Sequence, residues 1–350
     1  MKSSTKKWLI TAVVLTFSGL IICFTAFLTS GFDITRFNTQ KDLKKTDYSI
    51  SRNGAENILI ETSDSDVRII KSKDNDQEAI KITCYENESF MYEIGNNDNC
   101  LRIYERDTRK WYNRIFDLNF EENELTVIIP EKDWKDIKVT TSSGDVNVDG
   151  LNFDSVIFDT SSGNIKAENT SARRKLSLTA TSGDVLAENC TAKDVILQST
   201  SGDLSTEKVT ASNKVSLECT SGDIEATELS AGNDLNVKST SGDISFTDTV
   251  CKNKFVSDCT SGDTVFIKLS TKSLTAGSSS GNIDFSKLTA EEYTLNSSSG
   301  DITGTVNESE DTVTFFTNSR SGNISVPHPS KGNNVFTAYT SSGDIDIKFS

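Results

Sequence analysis

The tripeptide Ser-Gly-Asp/Asn recurs eleven times between Ser143 and Asp344, with its glycine at Gly144, Gly163, Gly183, Gly202, Gly222, Gly242, Gly262, Gly281, Gly300, Gly322 and Gly343. The steps between these glycines run from 19 to 22 residues. A period this regular requires a stack of like units, each covering the apolar face of the next. Aligned on the glycine, the residue seven positions earlier is always apolar, from Ile137 and Val156 through to Phe336. The residue three before is always small (Thr141, Ala180, Cys219, Ser297), and the residue two after is nearly always Val, Ile or Leu. Strict alternation of this kind marks strands with one buried face. The glycine between two such strands predicts a corner with positive φ, closed by the Asp/Asn side chain on nearby backbone. Leu229 with Ala231, and Leu288 with Ala290, suggest a third buried side.

Twenty residues are too few for a strand, a helix and a return strand, and four-stranded propeller blades need about forty. The unit fits one rung of an all-β parallel β-solenoid, with rungs about 4.8 Å apart and eleven of them making a rod of about 50 Å.

Residues Trp8 to Phe32 carry no charge and follow Lys2, Lys6 and Lys7. About twenty apolar residues span a bilayer, and the flanking lysines keep the N-terminus in the cytoplasm. The expectation is an N-terminal transmembrane helix over 1–31, a single-pass cell-membrane anchor with the bulk of the chain extracytoplasmic. A cleaved signal peptide is the rival reading, though its apolar region would be shorter and no Ala-x-Ala site follows. A lipoprotein box at Leu20-Ile21-Ile22-Cys23 lacks the small residue needed before the cysteine. A polar tether covers 32–47, an irregular β cap region 48–135, and the regular repeats 136–350. The last rung, ending at Ile345, Ile347 and Phe349, reads as an exposed edge.

The net charge of −15 argues against nucleic acid, which needs clustered Lys and Arg. Cys219 and Cys259 occupy the same column two rungs apart, about 9.6 Å by rung spacing, beyond disulfide reach. They read as buried small filler, and Cys84 with Cys100 is the one pairing left open. No Cys/His cluster suggests zinc, and the single histidine, His328, has no partner motif.

The run Leu125-Thr126-Val127-Ile128-Ile129-Pro130 and the segment from Ile137 to Val146 resemble the bacterial putative-adhesin family of β-strand repeat proteins, which includes LiaG-like proteins. The resemblance covers roughly Ile58 to Phe349. It implies a solenoid, often membrane-attached and often found in envelope-stress gene sets, in a domain of no established function. It brings no catalytic residues with it.

Three features invite a chemical reading. The post-glycine column includes Asp184, Asp203, Asp223, Asp243 and Asp263. Like charges about 5 Å apart repel by roughly 3 kcal/mol at an effective dielectric of 20. Backbone N–H groups can offset that, which is the capping reading, and calcium between rungs is the alternative cofactor. The column two before the glycine is an array of Ser and Thr broken by Arg320, suited to a regular surface such as a glycan or ice, or simply to water. A catalytic cleft would need two carboxylates singled out by their environment, whereas these recur in every rung. No catalytic residue is therefore assigned. The insertion from Arg106 to Phe120, with Trp111, Tyr112 and Phe116, is where the repeat fails and is the expected partner-binding segment.

The sequence thus predicts a non-enzymatic extracytoplasmic cell-envelope protein that binds or scaffolds, as an accessory to envelope-stress signalling. The alternative is a surface adhesin holding wall or host glycan through the Ser/Thr face, with a glycan-active enzyme third. Its partners are the membrane and an envelope protein or wall glycan.

Overall fold

The computed structural model describes residues 15–22, 24–25, 28–29, 31, 43–52, 54–73, 79–109, 123–132, 134–309, 311–327 and 332–350. Trp111, Tyr112, Phe116 and His328 lie outside the described residues. The chain divides into two units. The smaller comprises residues 1–45, 85–91 and 106–122, and the larger comprises 46–84, 92–105 and 123–350.

In the smaller unit, helical residues lie within 15–29, and Leu15, Phe17, Leu20, Ile21 and Ile22 are exposed. Among the described residues no helix is long and apolar enough to cross a membrane. Trp8 to Val14, the first part of the expected anchor, lie outside the described residues. Arg109 closes a buried two-point contact on Asp107, with nitrogen–oxygen distances of 2.9 and 2.8 Å.

The larger unit is the β-solenoid that the repeats predict. Each regular rung has three sides. In one rung these are Trp134–Thr141 before the glycine, Val146–Asp149 after it, and the start of Asn152–Thr160. Pairing is parallel and in register: Val156 sits against Ile137 and Leu176, and Ile165 against Val146 and Val185. The register slips where one side turns into the next, as between Ala172 and Lys175 and between Phe285 and Leu288. The third side, weakly signalled in sequence, is fully built. Leu151, Cys190, Val209, Leu229, Leu269 and Leu288 are buried there, with Ala172, Ala211, Ala231 and Ala290 beside them. Aromatic side chains thicken the later core, where Phe246, Phe255 and Phe266 pack edge-on or tilted with ring centroids 5.0 to 6.3 Å apart. Each such buried ring contributes about 1.5–3 kcal/mol by transfer from water.

The repeat glycines do not play the expected part. Only Gly222, Gly242, Gly262 and Gly281 have positive φ, between 141° and 159°, at the extended margin of that region. What all eleven share is crowding. A Cβ on any of them would lie 1.9 to 2.3 Å from a backbone carbonyl oxygen of the adjacent rung. The left-handed corner lies six residues further on, at Gly150, Asn169, Asn189, Lys208, Glu228, Asp248, Lys268 and Lys287, with φ from 47° to 73°.

Both ends of the stack are interlocked. Asn57–Glu61 lies between Cys100–Asp107 and Trp134–Thr141, and Asp66–Lys71 between Glu124–Ile129 and Val146–Asp149. The region expected to hold a cap and irregular early rungs contains two rungs of the stack, and Lys81–Thr83 adds antiparallel to Thr126–Ile128. At the other end, Asn334–Ser342 inserts between Glu292–Ser299 and Val313–Ser321. Ile345–Phe349 likewise lies between Ile302–Val306 and Ile324–Ser325. The last rung in sequence is therefore not the open edge; Ile345 and Ile347 are buried. The outermost rung is the one before it, where Phe316 and Ile324 are 59% and 43% exposed.

Candidate binding face

The corner residues form files that run the length of the stack, because the register is unbroken. The post-glycine file starts at Asp66, two rungs earlier in sequence than the first clear partner suggests. The Asp66 Oδ1 accepts the N–H of Asp145 (2.8 Å), and Asp145 Oδ1 accepts that of Asn164 (2.7 Å). The same bond, at 2.7 to 2.9 Å, links Asp184, Asp203, Asp223, Asp243 and Asp263 in turn and continues through Asn282 and Asp301. It then passes to Asp344 and from there to Asn323, in the interlocked order. Capping thus operates between rungs, each side chain serving its neighbour's backbone. Among the described residues no group of three or more His, Cys, Asp or Glu is placed to hold a metal ion.

A second ladder lies just inside. The small residue three before the glycine donates to the glycine carbonyl of the adjacent rung: Ser199 to Gly183 (2.9 Å), Ser297 to Gly281 (3.2 Å), Thr340 to Gly300 (3.0 Å). Cys219 and Cys259 take the same place, their thiols bonding Gly202 (3.2 Å) and Gly242 (3.5 Å). None of Cys219, Cys259, Cys84 and Cys100 forms a disulfide. Burial raises the Cys219, Cys251 and Cys259 thiols and pushes Cys190 up to about 11, which makes them poor nucleophiles.

Outside these ladders lie the Ser/Thr rows. Ser142, Ser161, Thr181, Thr200, Thr220, Thr240, Thr260, Ser279 and Ser298 are all exposed, and so are the serines that follow them. The residues four before the glycine form a parallel outer file, and the small buried residues form the floor between file and row. Two shallow grooves occupy this strip. One, of about 350 Å³, runs past Thr179, Gln198 and Glu218 to Lys238. The other, of about 380 Å³, runs from Lys238 past Asp258, Gly277 and Asn296 to Tyr339. Tyr339 reaches this groove because the interlocked rung places it beside Asn296. The sequence reading found the hydroxyl row but not the outer file.

Near the start of the stack, Ser65 Oγ gathers Tyr92 Oη (2.6 Å), Glu105 Oε2 (2.8 Å) and Asn123 Nδ2 (2.9 Å). Burial raises the Glu105 carboxyl against the hydrogen bonds from Ser65 and Ser63. The cluster lines neither groove. Asp66 and Asp284 are also raised, chiefly by burial; Asp66 belongs to the post-glycine file, whereas the column of Asp284 holds Lys166, Leu186 and Ser205 in other rungs.

The arrangement offers hydrogen bonds along a line, without a nucleophile set against a base. The Toastrack DUF4097 family model matches residues 55–231 and 192–348. No curated protein matches. The chain is similar in fold to a solved "putative adhesin" from Parabacteroides merdae, at 14% identity and TM-score 0.47, covering 71% of this chain and 97% of that one. A "putative adhesin" from Parabacteroides distasonis has 15% identity, TM-score 0.47 and the same coverage. A "putative lipid binding protein" from Parabacteroides distasonis has 16% identity and TM-score 0.45, covering 72% of this chain and 97% of that one. Likenesses this distant speak to no ligand or role of this chain.

Proposed function

The chain belongs to the Toastrack DUF4097 family, and from that premise we propose that it is a non-enzymatic cell-envelope protein, tethered by its apolar N-terminal segment, whose Ser/Thr face binds a glycan of the cell surface. The observation that carries this reading is the exposed hydroxyl row itself, held straight by in-register pairing and bordering two shallow grooves. Binding surfaces that follow a repeating polymer benefit from a repeating array, since each rung adds the same contact about 4.8 Å along. The tether reading is supported by the exposed side chains of Leu15, Phe17, Leu20, Ile21, Ile22 and Phe24, which need cover by something other than water. A non-enzymatic role is supported by the carboxylates of the face, which repeat with one environment and are engaged in backbone bonds. Nothing in the fold bears on a part in envelope-stress signalling.

The test is co-sedimentation of the full-length protein with isolated wall material. Wild-type protein should pellet with it, and replacing Thr200, Thr220 and Thr240 together by Tyr should leave it in the supernatant. Wild-type protein that fails to pellet overturns the reading.

A further inference from the structure

The outermost rung presents an open edge. Among the described residues, Val313–Ser321 pairs only with Asn334–Ser342, and Ile324–Ser325 only with Ile345–Phe349. The Asn334 N–H donates to the Thr312 carbonyl (3.0 Å), which sets the alternation along this strand. In a parallel ladder the N–H and C=O of one residue face one neighbour, and those of the next residue face the other. The backbone groups of Phe315, Thr317 and Ser319 therefore face away from the stack, with no strand beyond them among the described residues. The core is uncovered at the same end. Ile302 and Ile345 are wholly buried in their column, whereas Ile324 in that column is 43% exposed.

The charge pattern singles out the same rung independently. From nine residues before the glycine to five after it, ten of the eleven repeats carry at least one Asp or Glu. The repeat of Gly322 carries none and has Arg320 instead. In a chain of net charge −15, the one acid-free repeat is the one that interlocking places at the end of the stack.

We propose that this rung is a self-association edge, on which a second copy of the chain pairs antiparallel about a two-fold axis. Two chains of this charge repel, and removing carboxylates from the rung where they meet lowers that barrier locally. The register that pairs all nine residues of Val313–Ser321 sets Thr317 against itself, Phe315 against Ser319 and Val313 against Ser321. Inward-facing side chains then meet inward-facing ones, which a two-fold interface requires. On the outer face Phe316 meets Asn318, and the two exposed Phe316 rings become diagonal neighbours within aromatic reach. The two Arg320 side chains stand at opposite ends of the pairing. A single extended peptide would satisfy the strand but leave Ile324, on the adjoining side, bare; the end of a second solenoid meets both sides at once. Only one rung end per chain is covered, so the contact is small and dimerisation depends on concentration.

Sedimentation of full-length protein in nonionic detergent, over a wide range of concentration, tests this. Wild-type protein should shift from monomer to dimer. Thr317→Pro removes an N–H that faces away from the stack and should fold, as prolines do on edge strands. Phe316→Glu sets two carboxylates side by side in the dimer and alters only an exposed side chain. Each should weaken dimerisation by at least about tenfold, the loss of one good hydrogen bond or its equivalent in repulsion. Circular dichroism and melting temperature check that both fold. A mixture of Phe316→Cys and Asn318→Cys proteins should form a disulfide-linked dimer under mild oxidation, since such opposed residues lie about 4.5 Å apart at Cα. Wild-type protein that stays monomeric overturns the proposal and leaves the edge to a strand of another protein. A dimer that survives in both folded variants overturns it too, by placing the contact elsewhere on the chain.

Discussion

A Cβ on Gly262 would sit 2.2 Å from the carbonyl oxygen of Gly242. The same oxygen accepts the thiol of Cys259 (3.5 Å). Where the inner ladder reaches such a carbonyl, as from Ser199, Cys219 and Ser297, the repeat glycine is what makes room for it.

The consequence is that alanine should not be tolerated at these corners. Gly183→Ala, with its Cβ 2.0 Å from the Gly163 oxygen, should destabilise the protein by about 3 kcal/mol, the upper end for overpacking against atoms that cannot rotate away. A shift of the urea midpoint measures it. A shift no larger than that of Gly277→Ala, where the nearest atom is a flexible side chain, would refute the crowding account.

Much of this was legible in the residues. The columns alternate because each rung has one inward face, and the third side was hinted at by Leu229 and Ala231. The purpose of the glycine was not, since a tight turn and a close approach both select the same residue. Interlocking was harder still. Val313–Ser321 and Asn334–Ser342 carry the same pattern, so nothing local orders them in the stack. The only trace is the two longest steps, 22 residues from Gly300 to Gly322 and 21 to Gly343, which leave chain for crossing a rung.

The left-handed corner makes a prediction of the opposite sign. Lys208 and Glu228 hold φ of 52° and 54°, a conformation that costs a residue with a Cβ about 1 kcal/mol. Lys208→Gly and Glu228→Gly should each raise stability by up to about 0.5 kcal/mol, after the extra freedom of glycine in the unfolded chain is set against the relief. Asn169→Gly should change less, since asparagine already tolerates this region. Thermal melting of the three variants separates them, and a lower melting temperature for the first two would contradict the strain argument.

The acidic file can be tested by changing what its side chain accepts. Asp223 Oδ1 takes the N–H of Asp243 at 2.7 Å. Asp223→Asn keeps that acceptor, as Asn164 and Asn282 do naturally, and should lie close to wild type. Asp223→Ala removes it and should cost about 1–2 kcal/mol. Calcium or a chelator should leave the melting temperature unmoved, because the file serves backbone donors. A calcium-dependent rise lost in Asp223→Asn would establish a cation ladder instead.

The buried cluster around Ser65 gives the protein a pH dependence. Burial raises the Glu105 carboxyl above its ordinary value of 4.5 in the folded chain. A carboxyl raised on folding contributes stability that is whole below its unfolded value and is lost as pH rises through the folded one. Glu105→Gln can still accept from Ser63 and Ser65 but has no proton to lose. Its melting temperature, relative to wild type, should therefore climb as pH is raised from about 4 toward neutrality, starting at the ordinary value of a glutamate. Thermal scans of both proteins across that range decide the matter. A constant difference between them would mean that Glu105 titrates alike in the folded and unfolded chain, and that the cost of its burial is met by the hydrogen bonds from Ser63 and Ser65.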